Sequence, residues 1–397
     1  MRKSHVKNTI RYYLFLIFFL AALFFSNDFG LTDVQKTAIV VAMGVDREDD
    51  TFIITTQIAV PQSSKQESST QSVQIVSRGK TVGEALEEIN AKTGWYPKLV
   101  FCDLVILGHS AKQQDVFDGL DFFLRNEYLS DDCQLAVYDG QAKDLLDTST
   151  VIDPSSSSAM KKVLSAHAER VGTVLPNTLR AFSIGYFGDS HSGYLPILKT
   201  EPQQEQVGQP TASTGETSQQ SERAQEKEKP VFSARETALF VRGRWVETLR
   251  AEETFALSSV LSKLRLASFS VDGEQDSCAL NIRRNSPHIK LDANTDDAFT
   301  LRVNITLTAG IFDYAHSQPI DKIADAGDVP KEFFTLAENK LEGSIAQTYE
   351  KCRAVNCDVF GVRERLVKYE KRRLRDKQDD ALKNTRIQVN VRFRNVR

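Results

Sequence analysis

Three residues of this chain have the types that ester hydrolysis requires. Ser190 closes the block Phe187-Gly188-Asp189-Ser190, and Asp313 and His316 stand at an Asp-x-x-His spacing in Asp313-Tyr314-Ala315-His316. A serine hydroxyl becomes a nucleophile when an imidazole takes its proton and a carboxylate fixes the imidazole's tautomer, so His316 would be the base and Asp313 its orienting partner. Such a set must be presented by its surroundings. No strong apolar strand leads into Ser190, a long polar segment separates it from the other two, and no separate block of oxyanion donors is visible. The regular strand–helix alternation of a parallel hydrolase sheet is also missing. The sequence therefore predicts no catalytic residue.

The Ser190 block resembles the nucleophile block of the GDS-type esterases, so an exported esterase using Ser190, Asp313 and His316 is the alternative reading. The other histidines stand apart. His5 lies in a basic flank, His109 follows Gly108 at a strand end as a turn residue, and His167, His191 and His288 lack partners at coordinating spacing. There is no CxxC, no His/Cys cluster of zinc type and no phosphate-cradling glycine loop, so no metal or cofactor is expected. Five cysteines (Cys102, Cys133, Cys278, Cys352, Cys357) leave at least one unpaired within the chain, and stability must come from burial. Cys352 and Cys357 are expected on different faces of one helix. A net charge of −3 over 397 residues gives no basic footprint for nucleic acid.

Membrane chemistry is written at the other end of the chain. Leu14–Phe25 (LFLIFFLAALFF) is an uninterrupted apolar run after Arg2, Lys3, Lys7 and Arg11. A basic flank before an apolar core stays on the cytoplasmic side, so the polar body is exported. Extended back through Ile10, Tyr12 and Tyr13 with Arg11 snorkelling, the run approaches the roughly 20 residues of a spanning helix. Ala21 and Ala22 lie too deep for cleavage and Phe24-Phe25-Ser26-Asn27 is a poor site, so residues 1–29 are expected to stay as an uncleaved anchor.

Downstream the pattern is α+β. Thr37–Met43 and Phe52–Val60 read as an antiparallel pair, Ser72–Ser77 as a third strand, and Thr81 as the cap of a helix with Glu84 completing a capping box. Leu99–Leu107 reads as one buried strand, Val116–Leu124 as a helix and Gln134–Tyr138 as a strand. This predicts an α+β domain over 30–150, then a small middle segment over 151–198 whose helix opens at Asp153-Pro154 and runs to about Ala168. Residues 199–232 are rich in Gln, Glu, Ser, Thr and Lys and read as a disordered linker. A second α+β domain over 233–397 begins with a hairpin (Thr237–Val241, Trp245–Leu249) and a helix (Glu252–Lys263). Strand candidates follow at Ala279–Arg283, His288–Leu291 and Phe299–Thr308. From Pro330 the period turns helical, with Phe334, Ala337, Leu341, Ile345, Thr348 and Cys352 on one stripe. A charged helix (about Val362–Lys377) and the strand Ile387–Phe393 close the chain. Its basic cluster (Lys368, Lys371, Arg372, Arg373, Arg375, Lys377) is interspersed with acids and reads as a solvated, ion-paired face.

Several strings together resemble the Ger(x)C family, the C subunits of spore nutrient germinant receptors. Thr37–Asp46 (TAIVVAMGVD) is similar to its first strand and Gly-hydrophobic-Asp turn, and Gly79-Lys80-Thr81-Val82 with Glu84-Ala85-Leu86 to its first helix start. Leu120–Arg125 (LDFFLR), Gln141–Leu146 (QAKDLL), Ala238-Leu239-Phe240 with Leu249 and Glu252-Glu253-Thr254, and Cys357–Gly361 (CDVFG) follow in the family's order. The resemblance implies a mixed α+β, membrane-associated, non-catalytic subunit. It would work with polytopic A and B subunits on the outer face of the spore inner membrane and meet the nutrient only indirectly. Gly44, Asp46, Asp358 and Gly361 are read as turn-formers rather than ligand contacts. Family members end their signal with a lipobox cysteine, which would fall near Asp28. This chain has no cysteine before Cys102, so lipidation there is chemically excluded; either the uncleaved apolar run is the sole anchor or the protein relies on its partners for retention, and the anchor is the preferred reading.

Overall fold

The computed structural model describes residues 12–21, 37–59, 72–126, 128–150, 153, 155–165, 170–202, 230–273, 276–293, 298–315, 329–369 and 378–396. Residues 12–21 form a helix (α1) whose large apolar side chains are all more than half exposed, from Leu16 at 53% to Tyr12 at 76%. No helix among the described residues is long and apolar enough to cross a membrane.

The body begins with β1 (Thr37–Glu48), β2 (Thr51–Ala59) and β3 (Ser72–Gly79), an antiparallel meander as the alternating β-branched residues predict. The helix α2 (Val82–Thr93) starts where Thr81 Oγ1 accepts from Glu84 N, and it buries Val82, Ala85, Leu86 and Ile89. Glu84 reaches one residue further back than a capping box requires, accepting from Lys80 N at 2.7 Å. The single strand expected over Leu99–Leu107 is broken: β4 (Tyr96–Lys98) and β5 (Leu104–Leu107) pair with different lengths of β1, and a turn closed by Cys102 N donating to Leu99 O separates them. After a 3-10 turn at His109–Lys112 come α3 (Phe117–Arg125), β6 (Gln134–Tyr138), α4 (Ala142–Leu146) and α5 (Ser156–Val163), the last about half the length expected.

Then β7 (Asn177–Thr178), α6 (Leu179–Phe187), β8 (Ser192–Glu201), β9 (Val231–Val241) and β10 (Arg244–Leu249) complete one ten-stranded mixed sheet. Its order is β10-β9-β8-β6-β5-β1-β2-β3, with β4 on β1 and β7 on β6. This crosses the boundaries drawn from sequence. The middle segment 151–198 supplies β8, which sits between β6 and β9, and the hairpin β9–β10 of the expected second domain lies at the far side of the first domain's sheet. The hairpin turn has Arg242 at φ +48° and Gly243 at φ +73°, the paired left-handed geometry that a two-residue connection needs. Of the expected linker, residues 203–229 lie outside the described residues, while its ends continue β8 and β9.

The second unit holds α7 (Ala251–Val260) and a four-stranded sheet of β11 (Ala267–Asp272), β12 (Ser277–Ala293), β13 (Phe299–Ala315) and β14 (Thr385–Asn395). Two expected strands are one, because β12 continues through Ser286-Pro287. Proline is tolerated there since β11 pairs only as far as Ile282, so Pro287 faces no neighbour on that side that needs its missing N–H.

The long helix α8 (Lys331–Ala354) buries the whole predicted stripe, from Phe334 to Cys352, against this sheet. It also closes the sheet's open side. Glu342 Oε1 accepts from Val391 N at 2.7 Å and Glu338 Oε1 from Phe393 N at 2.8 Å, so two outward N–H groups of the edge strand β14 are satisfied by glutamates one helical turn apart. The helix α9 (Val362–Tyr369) occupies the first half of the expected charged helix and α10 (Gln378–Ala381) follows beyond its expected end, while residues 370–377 with most of the basic cluster lie outside the described residues. Leu175, Leu239 and Leu249 of the first unit join the second unit's core, so the apolar interior runs through both.

Candidate functional site

The residues suggested for hydrolysis have other occupations. Ser190 lies in the loop between α6 and β8, and its hydroxyl donates to Gly185 O at 3.2 Å. Asp313 is on β13 of the other sheet, where its Oδ1 accepts from Tyr314 N at 2.8 Å. His316 lies outside the described residues. The nearest imidazole in sequence to Ser190, His191, has φ +43° and places Nδ1 3.0 Å from Tyr186 O. Among the described residues no group of three His, Cys, Asp or Glu is placed to hold a metal.

Ser190 and its neighbours matter in another way, because they form half of the joint between the two units. The loop 355–361, between α8 and α9, lies across the start of β8 and the end of β9. Asp358 N donates to Ser192 Oγ at 2.9 Å, Cys357 Sγ to Phe240 O at 3.4 Å, and Arg363 Nη1 to Ser190 O at 3.1 Å. The loop holds this shape from within. Asp358 turns both carboxylate oxygens onto the first N–H groups of α9, accepting from Val362 N at 2.8 Å and Arg363 N at 2.7 Å. Burial pushes the Asp358 carboxyl above its usual range, and the backbone N–H bonds with the Arg363 guanidinium pull the other way. Phe360 packs edge-on to Tyr349 at 5.2 Å, and Gly361 adopts φ +72°. A second clamp lies nearby, where Lys351 Nζ donates to Thr248 O at 2.7 Å and pairs with Glu253 at 3.0 Å.

A second buried carboxylate organises the middle of the first sheet. Asp46, 5% exposed, is not in a turn: it lies within β1, and its Oδ1 accepts from Ala142 N, the first residue of α4, at 3.1 Å. Gly44 also lies within β1, and a β-carbon there would stand 2.8 Å from Ala142 Cβ, so glycine serves close approach rather than turn geometry. Of the four residues read from sequence as turn-formers, Asp358 and Gly361 are so by their backbone, at the two ends of a turn in which Gly361 N donates to Asp358 O. Asp358 and Asp46 cap helices.

Asp46 Oδ2 is buried without a hydrogen-bond partner, and burial raises the carboxyl's pKa, with Asp144 adding to the shift and the Ala142 and Lys143 amides and His109 opposing it. A raised folded-state value means that Asp46 contributes stability below the ordinary aspartate value of 3.8, and that this is lost as pH rises through the folded value. Asp46→Asn keeps an acceptor for Ala142 N. It is expected to raise stability at pH 7 by about 1 kcal/mol, because a neutral amide costs less to bury than a carboxylate pushed up by desolvation. Urea midpoints measured from pH 4 to 8 should fall less with rising pH in the variant than in the wild type. Parallel profiles would refute the assignment.

All five cysteines are buried free thiols, and burial pushes Cys352 up and Cys357 to about 12. Cys352 is in α8, while Cys357 lies past its end in the joint loop rather than on the same helix. A small, partly open pocket beside Arg47, Gln114 and Asp115 has a volume of about 20 Å³, room for roughly one water.

The comparisons with known proteins agree with this architecture. The family model described as "Spore germination protein N-terminal domain" matches residues 31–200, and that described as "Spore germination B3/ GerAC like, C-terminal" matches residues 235–397. The chain belongs to the Ger(x)C family of spore germination proteins. Among solved structures it is similar to "Crystal Structure of the GerBC protein", with a TM-score of 0.54 and 16% identity over 89% of this chain and 97% of that one. That likeness concerns the fold, a mixed α+β body with mixed sheets. No curated protein matches the chain. Within this Ger(x)C protein, the family string Cys357–Gly361 is the joint loop, and Thr37–Asp46 is the central strand that carries Asp46.

Proposed function

We propose that this chain is the C subunit of a nutrient germinant receptor, a non-catalytic part acting in receptor assembly or signalling beside polytopic A and B subunits. The two family models matching in order over both halves carry the reading. The body sits on the extracytoplasmic side of the spore inner membrane, held by the apolar run around α1. The exposure of every large apolar side chain of that helix supports this, since such a surface calls for lipid or protein around it. The basic residues before it favour a cytoplasmic start. In this reading the subunit meets the nutrient only indirectly, through its partner subunits. The joint would serve as the mechanical link, because β8 and β9 belong to one sheet and the loop that caps α9 belongs to the other unit.

A tagged chain purified from spore membranes in mild detergent is expected to bring a polytopic membrane protein with it, and its deletion to slow germination with at least one nutrient. A chain that comes out alone, and whose loss changes germination with no nutrient tested, would overturn the proposal.

A further inference from the structure

Three parallel strands, β1, β5 and β6, start at one edge of the ten-stranded sheet, and their register decides what gathers there. β4 pairs with the first residues of β1, setting Tyr96 opposite Thr37. The turn 99–102 leads into β5 and the α3–β6 connection leads into β6, so both lie on the same edge. Gln134 N ties them by donating to Asp103 O at 2.8 Å. Five large side chains stand exposed on these connections: Trp95 (44%), Tyr96 (53%), Val100 (49%), Phe101 (57%) and Tyr128 (71%).

Their exposure is built into the backbone. Trp95 and Tyr96 follow the left-handed cap Gly94 that ends α2. The 99–102 turn buries its flanks Leu99 and Cys102 and presents only its middle pair.

We propose that this edge rests on the lipid–water interface of the membrane that the N-terminal run enters, with Trp95, Tyr96, Phe101 and Tyr128 as its aromatic contacts. The place where the chain enters the fold argues for lipid. Thr37 stands at this edge, and residues 22–36 separate it from α1, a length that reaches at most about 55 Å fully stretched. That keeps the edge within reach of whatever surrounds the exposed apolar helix. The residue types agree, because amphipathic tryptophan and tyrosine rings settle at headgroup level. The nearby charges are mixed: Lys98, a Lys92 paired with Glu88 and an Asp103 paired with Lys161, beside Asp131 and Asp132. Ring insertion rather than attraction to anionic lipid holds the edge, and the contact is insensitive to salt.

The inference rests on the proposed N-terminal anchoring, and one experiment reads the two separately. The full chain is reconstituted into neutral phosphatidylcholine vesicles that carry bromine on the acyl chains near the headgroup. Flotation reports anchoring, and tryptophan emission reports the edge. The chain has two tryptophans, and Trp245 is only 7% exposed within the fold, so brominated lipid reaches Trp95. Quenching of roughly half the emission is expected, unchanged in 0.5 M salt, abolished in Trp95→Phe and at least about halved in Phe101→Ser. A chain that floats while Trp95 stays open to acrylamide and blind to bromine overturns the docking, leaving anchoring intact and the face to a protein partner. A chain that does not float overturns both.

Discussion

Replacing Asp358 with alanine is expected to destabilise the protein by about 3 kcal/mol, because two charge-assisted bonds to the start of α9 are lost and their N–H donors stay buried. For a chain of this size that corresponds to a fall in urea midpoint of about 1 M. The loss should not be confined to α9. Asp358 N reaches Ser192, Arg363 reaches Ser190 O, and Cys357 reaches Phe240 O, so the joint loop and the first turn of α9 together fix the second unit beside β8 and β9. Asp358→Asn retains one acceptor but turns a donor toward the other N–H, and should lose about half as much. Ser192→Ala removes only the contact across the joint and should cost about 1 kcal/mol. This ranking, Asp358→Ala worst and Ser192→Ala mildest, is read from urea curves followed by intrinsic fluorescence. Equal midpoints for Asp358→Ala and wild type would show that the carboxylate does not hold the joint. In spores the same variant should lower the amount of chain recovered with the membrane, since marginal stability is read out as abundance.

The helical stripe from Phe334 to Cys352 could be read directly, because six residues at three- and four-residue steps leave no other face for the sheet to take. The hairpin β9–β10 was equally plain from Arg242-Gly243 between β-rich runs. What the sequence hid was membership. β9 and β10 look like the start of a second domain because a long polar segment precedes them, yet their partners are β8 and, through it, β6. Strand pairing across that sequence distance leaves no local mark. The break in Leu99–Leu107 was hidden for a similar reason: apolar residues fill the turn as well as the strand, and Val100 and Phe101 face outward.

The candidate site was legible by position and not by role. Gly44, Asp46, Asp358 and Gly361 stood out as short polar or small residues in apolar company, for which turns are the usual explanation. Only the fold brings Ala142 against Asp46, 96 residues away in sequence, or Ser192 against Asp358. The glutamates that seal β14, Glu338 and Glu342, carried one faint signal, a four-residue spacing beside the buried stripe.

Gly108→Ala is the second change expected to have a large effect, and its cause is space rather than backbone freedom. Gly108 has φ −77° and ψ −174°, a conformation that any residue adopts, whereas Gly361 sits at φ +72°. A β-carbon at 108 would overlap Asp46 Oδ1 and stand 2.9 Å from Asp46 Cγ and 3.1 Å from Gly140 O. The carboxylate cannot retreat freely, since its Oδ1 holds Ala142 N at the start of α4. The backbone cannot open without breaking the bond from His109 N to Gly140 O. Overpacking of this kind costs about 1–3 kcal/mol, and orphaning the Ala142 N–H adds about 1–3 more, so a loss near 3 kcal/mol or above is expected. Gly361→Ala, by comparison, meets left-handed strain and should lose about 1–2 kcal/mol. The decisive measurement is a double-mutant cycle. In an Asp46→Ala background the overlapping oxygen is gone, so Gly108→Ala should cost at least about 1.5 kcal/mol less than in the wild type. Additive losses would mean that Gly108 is needed for some reason other than the Asp46 carboxylate, and the account of the β1–α4 cap would fall with it.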